Sequence, residues 1–367
     1  MTRRHLCVIL LFQLCAVAAE ARSGCCAGDC SGDGRVTIDE LVVGVNIALG
    51  TTPVGQCRAF DTGADGVVTV DELVTAVNTA LRGCAFTFDA KLRTLAWLAY
   101  APTSYNPNLG CPAGTPTEAS MRADLQAARA RGFDGMITFT ASCSLWQIPR
   151  IAREVGFRGV IMGLFLFNEA QRAEEVPHAK AAAPYVDAYG IGNEGLIGCG
   201  GASYSRQTLT ATMREIRSAT GKPVTTSEQI EDYLLAGACA DFLMSNGDWL
   251  FPITHPFNNG IRVPAAGVAF TEERYRRLSA RTAKAVFFKE TGWPTGGDPA
   301  ATEANQGAYF TALAKSRACF AYFEGFDQPF KRTFATPWEP FWGLFRQDRA
   351  PKRFIAHSVP RRAGCEQ

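Results

Sequence analysis

The sequence predicts an α/β fold: a (β/α)8 TIM barrel preceded by a small all-α module. Three observations predict it. From Phe86 onward, β-rich apolar runs alternate with amphipathic helical patterns; eight such runs fit into about 280 residues; and residues 25–84 carry an internal repeat that the rest of the chain lacks. With 47% hydrophobic and 20% charged residues in 367, the chain has material for two globular units rather than a disordered one. Its formal net charge of +2 and the absence of any long basic run give nucleic acid no electrostatic footprint.

The chain opens with Arg3 and Arg4, an apolar stretch from Leu6 to Ala18, and the small-x-small triplet Ala19-Glu20-Ala21. This order reads as an export signal over 1–21, too short to span a bilayer, so the expected location is secreted or cell surface. Cys7 and Cys15 would leave with it, and eleven of the 13 cysteines would meet an oxidising compartment.

The module, 22–84, is defined by its repeat. Val36-Thr37-Ile38-Asp39-Glu40-Leu41-Val42 recurs 32 residues later as Val68-Thr69-Val70-Asp71-Glu72-Leu73-Val74, and Val45-Asn46 as Val77-Asn78. Each copy is a loop followed by an apolar helical pattern. The first loop offers Asp29, Ser31 and Asp33 at alternating positions, the Arg35 carbonyl, and Glu40 at position twelve. Calcium takes six to eight hard oxygens, which such a spacing supplies. The second loop runs Asp61, Gly63, Asp65, Glu72; Gly63 brings no side-chain oxygen, so weaker binding is expected there. The stretch resembles a dockerin or paired EF-hand module, which implies a structural Ca2+ and a cohesin-like or cell-surface partner. Both loops end in Glu where a dockerin usually has Asp.

In the second domain, 85–367, strand candidates are 95–101, 135–141, 159–166, 186–192, 223–227, 241–245, 285–290 and 321–326. Helical patterns at 120–131, 145–155, 205–220, 272–283 and 302–316 separate them. Alternation of this kind implies parallel pairing, and no Gly-x-Gly-x-x-Gly follows the first strand to favour a dinucleotide-binding sheet. In such barrels chemistry sits at the carboxyl ends of the strands. Used as a filter, that rule retains Glu194, Glu228, Glu290 and Asp327.

Ile191-Gly192-Asn193-Glu194 ends the fourth run and Phe287-Phe288-Lys289-Glu290-Thr291-Gly292-Trp293-Pro294 the seventh. Cleaving a glycoside with retention needs one protonated and one ionised carboxyl facing each other across a sugar, roughly 5–5.5 Å apart. Glu194 and Glu290 could meet in that way. Here the chain resembles glycoside hydrolase family 17, the β-1,3-glucanases, in Glu290-Thr291-Gly292-Trp293-Pro294-Thr295, in Tyr322-Phe323-Glu324-Gly325-Phe326-Asp327-Gln328-Pro329-Phe330-Lys331, and in Glu339-Pro340-Phe341-Trp342-Gly343-Leu344-Phe345. The resemblance implies Glu194 as general acid/base, Glu290 as nucleophile and Asn193 on the sugar 2-hydroxyl. It places Lys331 and Glu339 beside the pair. Asp327, His255, Phe257, Trp293 and Trp342 complete the expected substrate contacts, with β-glucan as substrate and no cofactor for catalysis.

The pattern departs from the family at Gln328, Phe330 and Asn258, where Glu, Trp and an aromatic are usual. Cys111, Cys143 and Cys199 fall in loops at the expected mouth, where a disulfide would brace the rim, whereas Cys239 and Cys319 read as buried thiols. Neither a Gly-x-Ser-x-Gly elbow nor a phosphate-cradling loop is present. Three competitors remain at this point: a glucan transglycosylase using the same residues, a β-1,4-specific barrel glycosidase, and a polysaccharide-binding protein without turnover.

Overall fold

The computed structural model describes residues 26–31, 36–63, 65–82 and 87–360. The expected export signal and two of the expected calcium ligands, Asp33 and Arg35, lie outside the described residues. Contacts divide the chain into a unit ending at Thr87 and a second starting at Phe88.

In the first unit, α1 (Ile38–Ala48) and α2 (Val70–Arg82) occupy the same place in each repeat. Thr37 caps α1: its hydroxyl accepts the Glu40 N–H at 3.3 Å while the Glu40 carboxylate accepts the Thr37 N–H at 2.8 Å. Thr69 and Glu72 repeat the device on α2 at 3.4 and 2.9 Å. Both carboxylates also reach back to their loops. Glu40 accepts the N–H groups of Cys30 and Ser31 at 3.1 and 3.0 Å; Glu72 accepts the Gly63 N–H at 2.9 Å and the Thr62 hydroxyl at 3.0 Å. Hydrogen bonds from the Thr69 and Gly63 backbones hold the Glu72 carboxyl down at about 2. Asp61 turns its carboxylate onto the N–H groups of Asp65 and Gly66 at 3.1 and 2.9 Å.

Ala27, Ile47, Cys57, Phe60, Val68 and Ala76 form this unit's core. A Cβ on Gly44 would stand 2.2 Å from the Phe60 ring, so the helix needs glycine to approach it. The disulfide Cys30–Cys57 supplements a core too small to stabilise the unit by burial alone. The outward faces are aliphatic: Ile38, Val42, Val45 and Leu49 along α1, and their repeat counterparts Val70, Val74, Val77 and Leu81 along α2, are all exposed.

The second unit begins with α3 (Phe88–Thr94) and then alternates β1 (Trp97–Ala99), α4 (Glu118–Ala130), β2 (Gly135–Ile137), α5 (Ile148–Val155), β3 (Gly159–Leu164), α6 (Glu169–Ala182), β4 (Ala188–Asn193), α7 (Arg206–Thr220) and β5 (Val224–Ser227). There follow α8 (Ile230–Leu234), α9 (Ala238–Ser245), α10 (Pro264–Ser279), β6 (Phe288–Gly292), α11 (Glu303–Leu313) and β7 (Phe320–Phe323). The strands form one parallel seven-stranded sheet in the order β5-β4-β3-β2-β1-β7-β6. Trp97 fills its floor: the indole donates to the Lys91 carbonyl at 2.9 Å and meets Phe287 edge-on at 5.8 Å. A Cβ on Gly135 or Gly159 would lie 2.4 or 2.6 Å from that indole, which explains the glycine at the start of β2 and of β3.

One expected strand is overturned. Residues 241–245 lie inside α9, where Ala240 and Leu243 are buried one helical turn apart. A short apolar run does not distinguish a buried strand from a buried helix. The segment that lies between β5 and β6 comes a few residues later. Its Leu250 N–H donates to Ala285 at 2.8 Å, its Ile253 N–H to Glu228 at 2.9 Å, and its Thr254 N–H to Glu290 at 2.9 Å. Isolated parallel bridges Gln229–Ile253, Leu250–Val286 and Ile253–Glu290 join it to both sheet edges. Pro252 has no N–H to donate, so the ladder there stays broken.

Candidate active site

A cavity of about 620 Å³ opens at the carboxyl ends of the strands, with Asn193, Glu194, His255, Glu290, Lys331, Glu339 and Trp342 among its lining residues. Seven of the ten expected catalytic and substrate-binding residues therefore meet in one concavity.

Glu194 stands just beyond β4. Its backbone adopts φ +50°, a left-handed conformation rare for a residue with a Cβ, and its N–H is fixed to the Ser227 carbonyl of β5 at 2.9 Å. The carboxylate receives hydrogen bonds from the Gln229 amide and from Asn193 Nδ2, the latter at 3.3 Å. It opens onto the cavity, yet the surrounding walls withdraw bulk water. That desolvation, with the negative charge of Glu290, pushes its pKa up.

Glu290, in β6, is 4% exposed. Its Oε2 lies 3.6 Å from His255 Nε2 and its Oε1 3.5 Å from Lys289 Nζ; Oε1 accepts no hydrogen bond. Burial alone would push the carboxyl up. The nearby His255 ring and the positive charge of Lys289, with a smaller contribution from Lys331, outweigh burial and hold it below the ordinary glutamate range. The two acids are thus driven in opposite directions.

The wall between them is aromatic and charged. The His255 ring packs on Phe323 and Trp342 at 4.7 and 4.9 Å. Lys331 pairs with Glu324 at 2.6 Å, and Thr336 donates to Glu339 at 3.1 Å. Burial pushes the Glu324 carboxyl up to about 7 against the Lys331 charge. Asn258, which replaces an expected aromatic, lines the cavity and accepts the Trp338 indole N–H at 2.9 Å.

Three expected substrate contacts do not line the cavity. Trp293 is fully buried, donates to the Ala300 carbonyl at 3.0 Å and packs on Phe257 and Tyr309. Phe257 is equally buried, with the Arg262 guanidinium 3.9 Å from its ring centre. Asp327 pairs with Lys352 at 2.7 Å and accepts the Gly343 N–H at 3.0 Å, tying the segment after β7 to the chain's closing segment. Glu228, retained by the strand-end filter, lies behind the Glu194 turn, where it accepts from Tyr204 at 2.8 Å and from the Leu196 N–H at 3.2 Å.

Glu324, Phe323 and Gln229 line the cavity and were not anticipated as site residues. The signal for Glu324 was present: β7 stops at Phe323, which makes Glu324 the first residue past a strand end, whereas a strand read through to 326 hides it.

Cys111 and Cys143 form a disulfide between the loops after β1 and β2, bracing the mouth. Cys199 pairs with Cys239, so the expected buried thiol at 239 is overturned: Cys239 lies in the first turn of α9. Cys319 is disulfide-bonded as well. Among the described residues, the one cluster of three possible metal ligands is Cys111, Cys143 and Glu174, and its two sulfurs are bonded to each other.

Residues 98–343 match the model of the BtgE/BtgC glycoside hydrolase domain. A relative from Aspergillus niger, named "Putative glucan endo-1,3-beta-glucosidase btgC", is 29% identical over 191 residues, 43% of this chain but only 27% of its own length. Among solved structures, the family 17 β-1,3-glucanosyltransferase of Rhizomucor miehei superposes with a TM-score of 0.58 at 20% identity, over 72% of this chain and 98% of that one. An active-site mutant of that enzyme, in complex with laminaritriose, does so with 0.58 at 19% over the same shares. CJP38, a β-1,3-glucanase and allergen of Cryptomeria japonica pollen, gives 0.53 at 16% over 72% and 100%. These structures share the fold, and the family match, spanning most of the sheet and both acids, identifies the chain as a glycoside hydrolase of the BtgE/BtgC family.

Proposed function

We propose that the enzyme cleaves β-1,3-glucan by double displacement, with Glu290 as nucleophile and Glu194 as general acid/base. One observation carries this reading: two carboxyls share one cavity, one held below the usual range by cations and the other raised by desolvation and by its partner's charge. In the first step a Glu290 oxygen bonds to the anomeric carbon as the glycosidic bond breaks, and the leaving oxygen takes the proton of Glu194. In the second, Glu194, now a carboxylate, takes a proton from an incoming hydroxyl whose oxygen displaces Glu290. Asn193, whose amide touches Glu194, is placed to hold the sugar 2-hydroxyl. We read the segment around Leu250–Ile253 as the sixth stave of a (β/α)8 barrel, an order that puts Glu194 after the fourth and Glu290 on the seventh.

The incoming hydroxyl is water in hydrolysis and a sugar in transglycosylation. The fold of the Rhizomucor miehei glucanosyltransferase, and its mutant's complex with laminaritriose, support a β-glucan oligosaccharide and are consistent with transfer. Products longer than the substrate, from short laminari-oligosaccharides, would identify transfer.

We also propose that the chain is secreted and that its first unit holds calcium. Asp29, Ser31, Asp33, Arg35 and Glu40 would form one site and Asp61, Asp65 and Glu72 a weaker one. Their hard oxygens fit the ion. At Glu40 and at Glu72 alike four donors already engage the carboxylate, so calcium would compete with closure of either loop. The exposed aliphatic stripes of α1 and α2 support the expected cohesin-like or cell-surface partner.

The mechanism is tested with Glu194→Ala and Glu290→Ala on laminarin with azide. Azide should restore turnover in both, giving the β-glycosyl azide from the Glu194 variant and the α-anomer from the Glu290 variant. Wild-type rates in either variant, or one anomer from both, would refute the assignment.

A further inference from the structure

Behind the two carboxylates stands Lys289, a cation that holds Glu290 down and has no assigned contact with the substrate in the reaction above. Lys289 precedes Glu290 in β6, is 2% exposed, and is absent from the cavity lining. Its ammonium lies 3.5 Å from Glu290 Oε1, donates to Asn193 Oδ1, and sits 4.9 Å from the Phe139 ring centre. Asn193 in turn donates from Nδ2 to Glu194 Oε2 at 3.3 Å. The contacts run unbroken from one acid to the other through Glu290, Lys289, Asn193 and Glu194.

We propose that Lys289 is a positioning residue that keeps the nucleophile ionised and locks the Asn193 amide, thereby coupling the two carboxylates from behind. The inference rests on the roles assigned to Glu194 and Glu290 above. An ammonium is costly to bury unless paired and hydrogen-bonded, and this site supplies both. Burial pulls Lys289 down from the ordinary lysine range, while the Glu290, Glu194 and Glu228 carboxylates favour its charged form. The geometry suits a nucleophile. A hydrogen bond to Oε1 would tie up the lone pair that must attack, whereas a cation at 3.5 Å favours the ionised state without occupying that direction. The same charge stabilises the carboxylate as it leaves in the second step. Only the Oδ1 of Asn193 can accept from the ammonium, so Lys289 also decides that the Nδ2 end of the amide faces Glu194.

The groups facing Glu290 are Lys289, His255, Lys331 and Glu194, and a pH profile must be read with all four in place. The test is kcat/KM against pH on a laminari-oligosaccharide for wild type, Lys289→Met and Lys289→Gln, with a thermal melt of each to establish folding. Removing the charge should move the acidic limb upward by about 1–2 pH units in both variants. Lys289→Gln can still donate to Asn193, and should keep a kcat at the optimum about tenfold above that of Lys289→Met, as expected for one hydrogen bond in this setting. A purely structural lysine would change the melt and leave the limb in place. Carbon-13 NMR titration of Glu290 in the wild type supplies a reading independent of either variant. An unmoved acidic limb in a folded variant, or a Glu290 that titrates at or above the ordinary glutamate value, overturns the inference. If Glu290→Ala keeps its activity the catalytic assignment itself fails, a result distinguishable from both.

Discussion

Glu175, on α6, is fully buried beneath the β2 and β3 side of the cavity. Its carboxyl receives the Thr140 and Ser142 hydroxyls, the Gln171 amide and the Phe165 N–H, and Thr140, Phe165 and Gln171 line the cavity above it. Burial pushes it up to about 7 although these hydrogen bonds favour the ionised form. Replacing it by Gln keeps its size and removes its titration. The sign follows from linkage. Between the ordinary value of 4.5 and about 7 the folded state keeps a proton that the unfolded state releases, so the stability gained from this group is fully present below 4.5 and is lost as pH rises through 7. At 1.36 kcal/mol per pH unit, that interval amounts to about 3 kcal/mol. Urea melts of wild type and Glu175→Gln from pH 4.5 to 8 measure it. The difference between the two proteins should shift in favour of the variant by about 3 kcal/mol across that range. Glu228 and Glu324 are also pushed up to about 7 and slope the same way, but both proteins retain them and they cancel in the difference. Two curves that run parallel would refute the reasoning and show that the four donors keep Glu175 ionised throughout.

Two further outcomes follow from the proposed calcium loops and from Asp327. Calcium at a hundredfold excess over its dissociation constant should stabilise the first unit of the full-length chain by about 2.7 kcal/mol relative to chelator, with Glu40→Gln removing more of that gain than Glu72→Gln; a melt indifferent to chelator rules the ion out. Asp327→Asn strands the buried Lys352 ammonium and should cost about 3–5 kcal/mol in melts while leaving kcat/KM nearly unchanged below the transition. Lost activity with an unchanged melt would return Asp327 to the substrate site.

What was legible in the sequence, and what was not, divides along the range of the interactions. Val36–Val42 and its copy at 68–74 announce two helices, and the box that caps each is local, four residues long and decided by side chains that touch their own backbone. Glu194 and Glu290, which line one cavity, could be singled out because strand alternation and the carboxyl-end rule together leave few acids to choose from. Residues 241–245 failed because apolar content alone does not choose between β and α. Only the contacts that draw Leu250–Ile253 between β5 and β6 reveal where that edge is filled, and those contacts are made to residues some 35 positions away or more in one direction and about 25 in the other. Trp293 and Phe257 failed for a related reason. An aromatic next to a catalytic motif can face the sugar or the layer behind it, and here Trp293, Phe257 and Tyr309 pack against one another instead. The pairing of Cys199 with Cys239 was hidden because it joins residues 40 positions apart, and sequence alone does not give disulfide connectivity.

The division of labour we propose for the two acids rests on what each strand end places nearby, more than on burial. Both carboxyls lose water in the cavity, and desolvation by itself would raise both. Glu194 has left β4 through a left-handed residue, and the groups that touch it, Gln229 and Asn193, are neutral amides that orient its oxygens without fixing its charge. Glu290 remains inside β6, where the ladder holds His255 from the preceding segment and Lys289 from its own strand against it, each within 4 Å. An amide neighbour leaves a carboxyl free to gain and lose a proton in turn, as an acid/base must; a cationic neighbour keeps it ionised and ready to bond to carbon. The sequence around each acid carries this distinction already. Gly-Asn-Glu-Gly ends a strand in a turn with no charged residue next to it in sequence, whereas Phe-Lys-Glu-Thr keeps its glutamate within β6, at a shift in the ladder between Phe288 and Thr291, directly after a buried lysine.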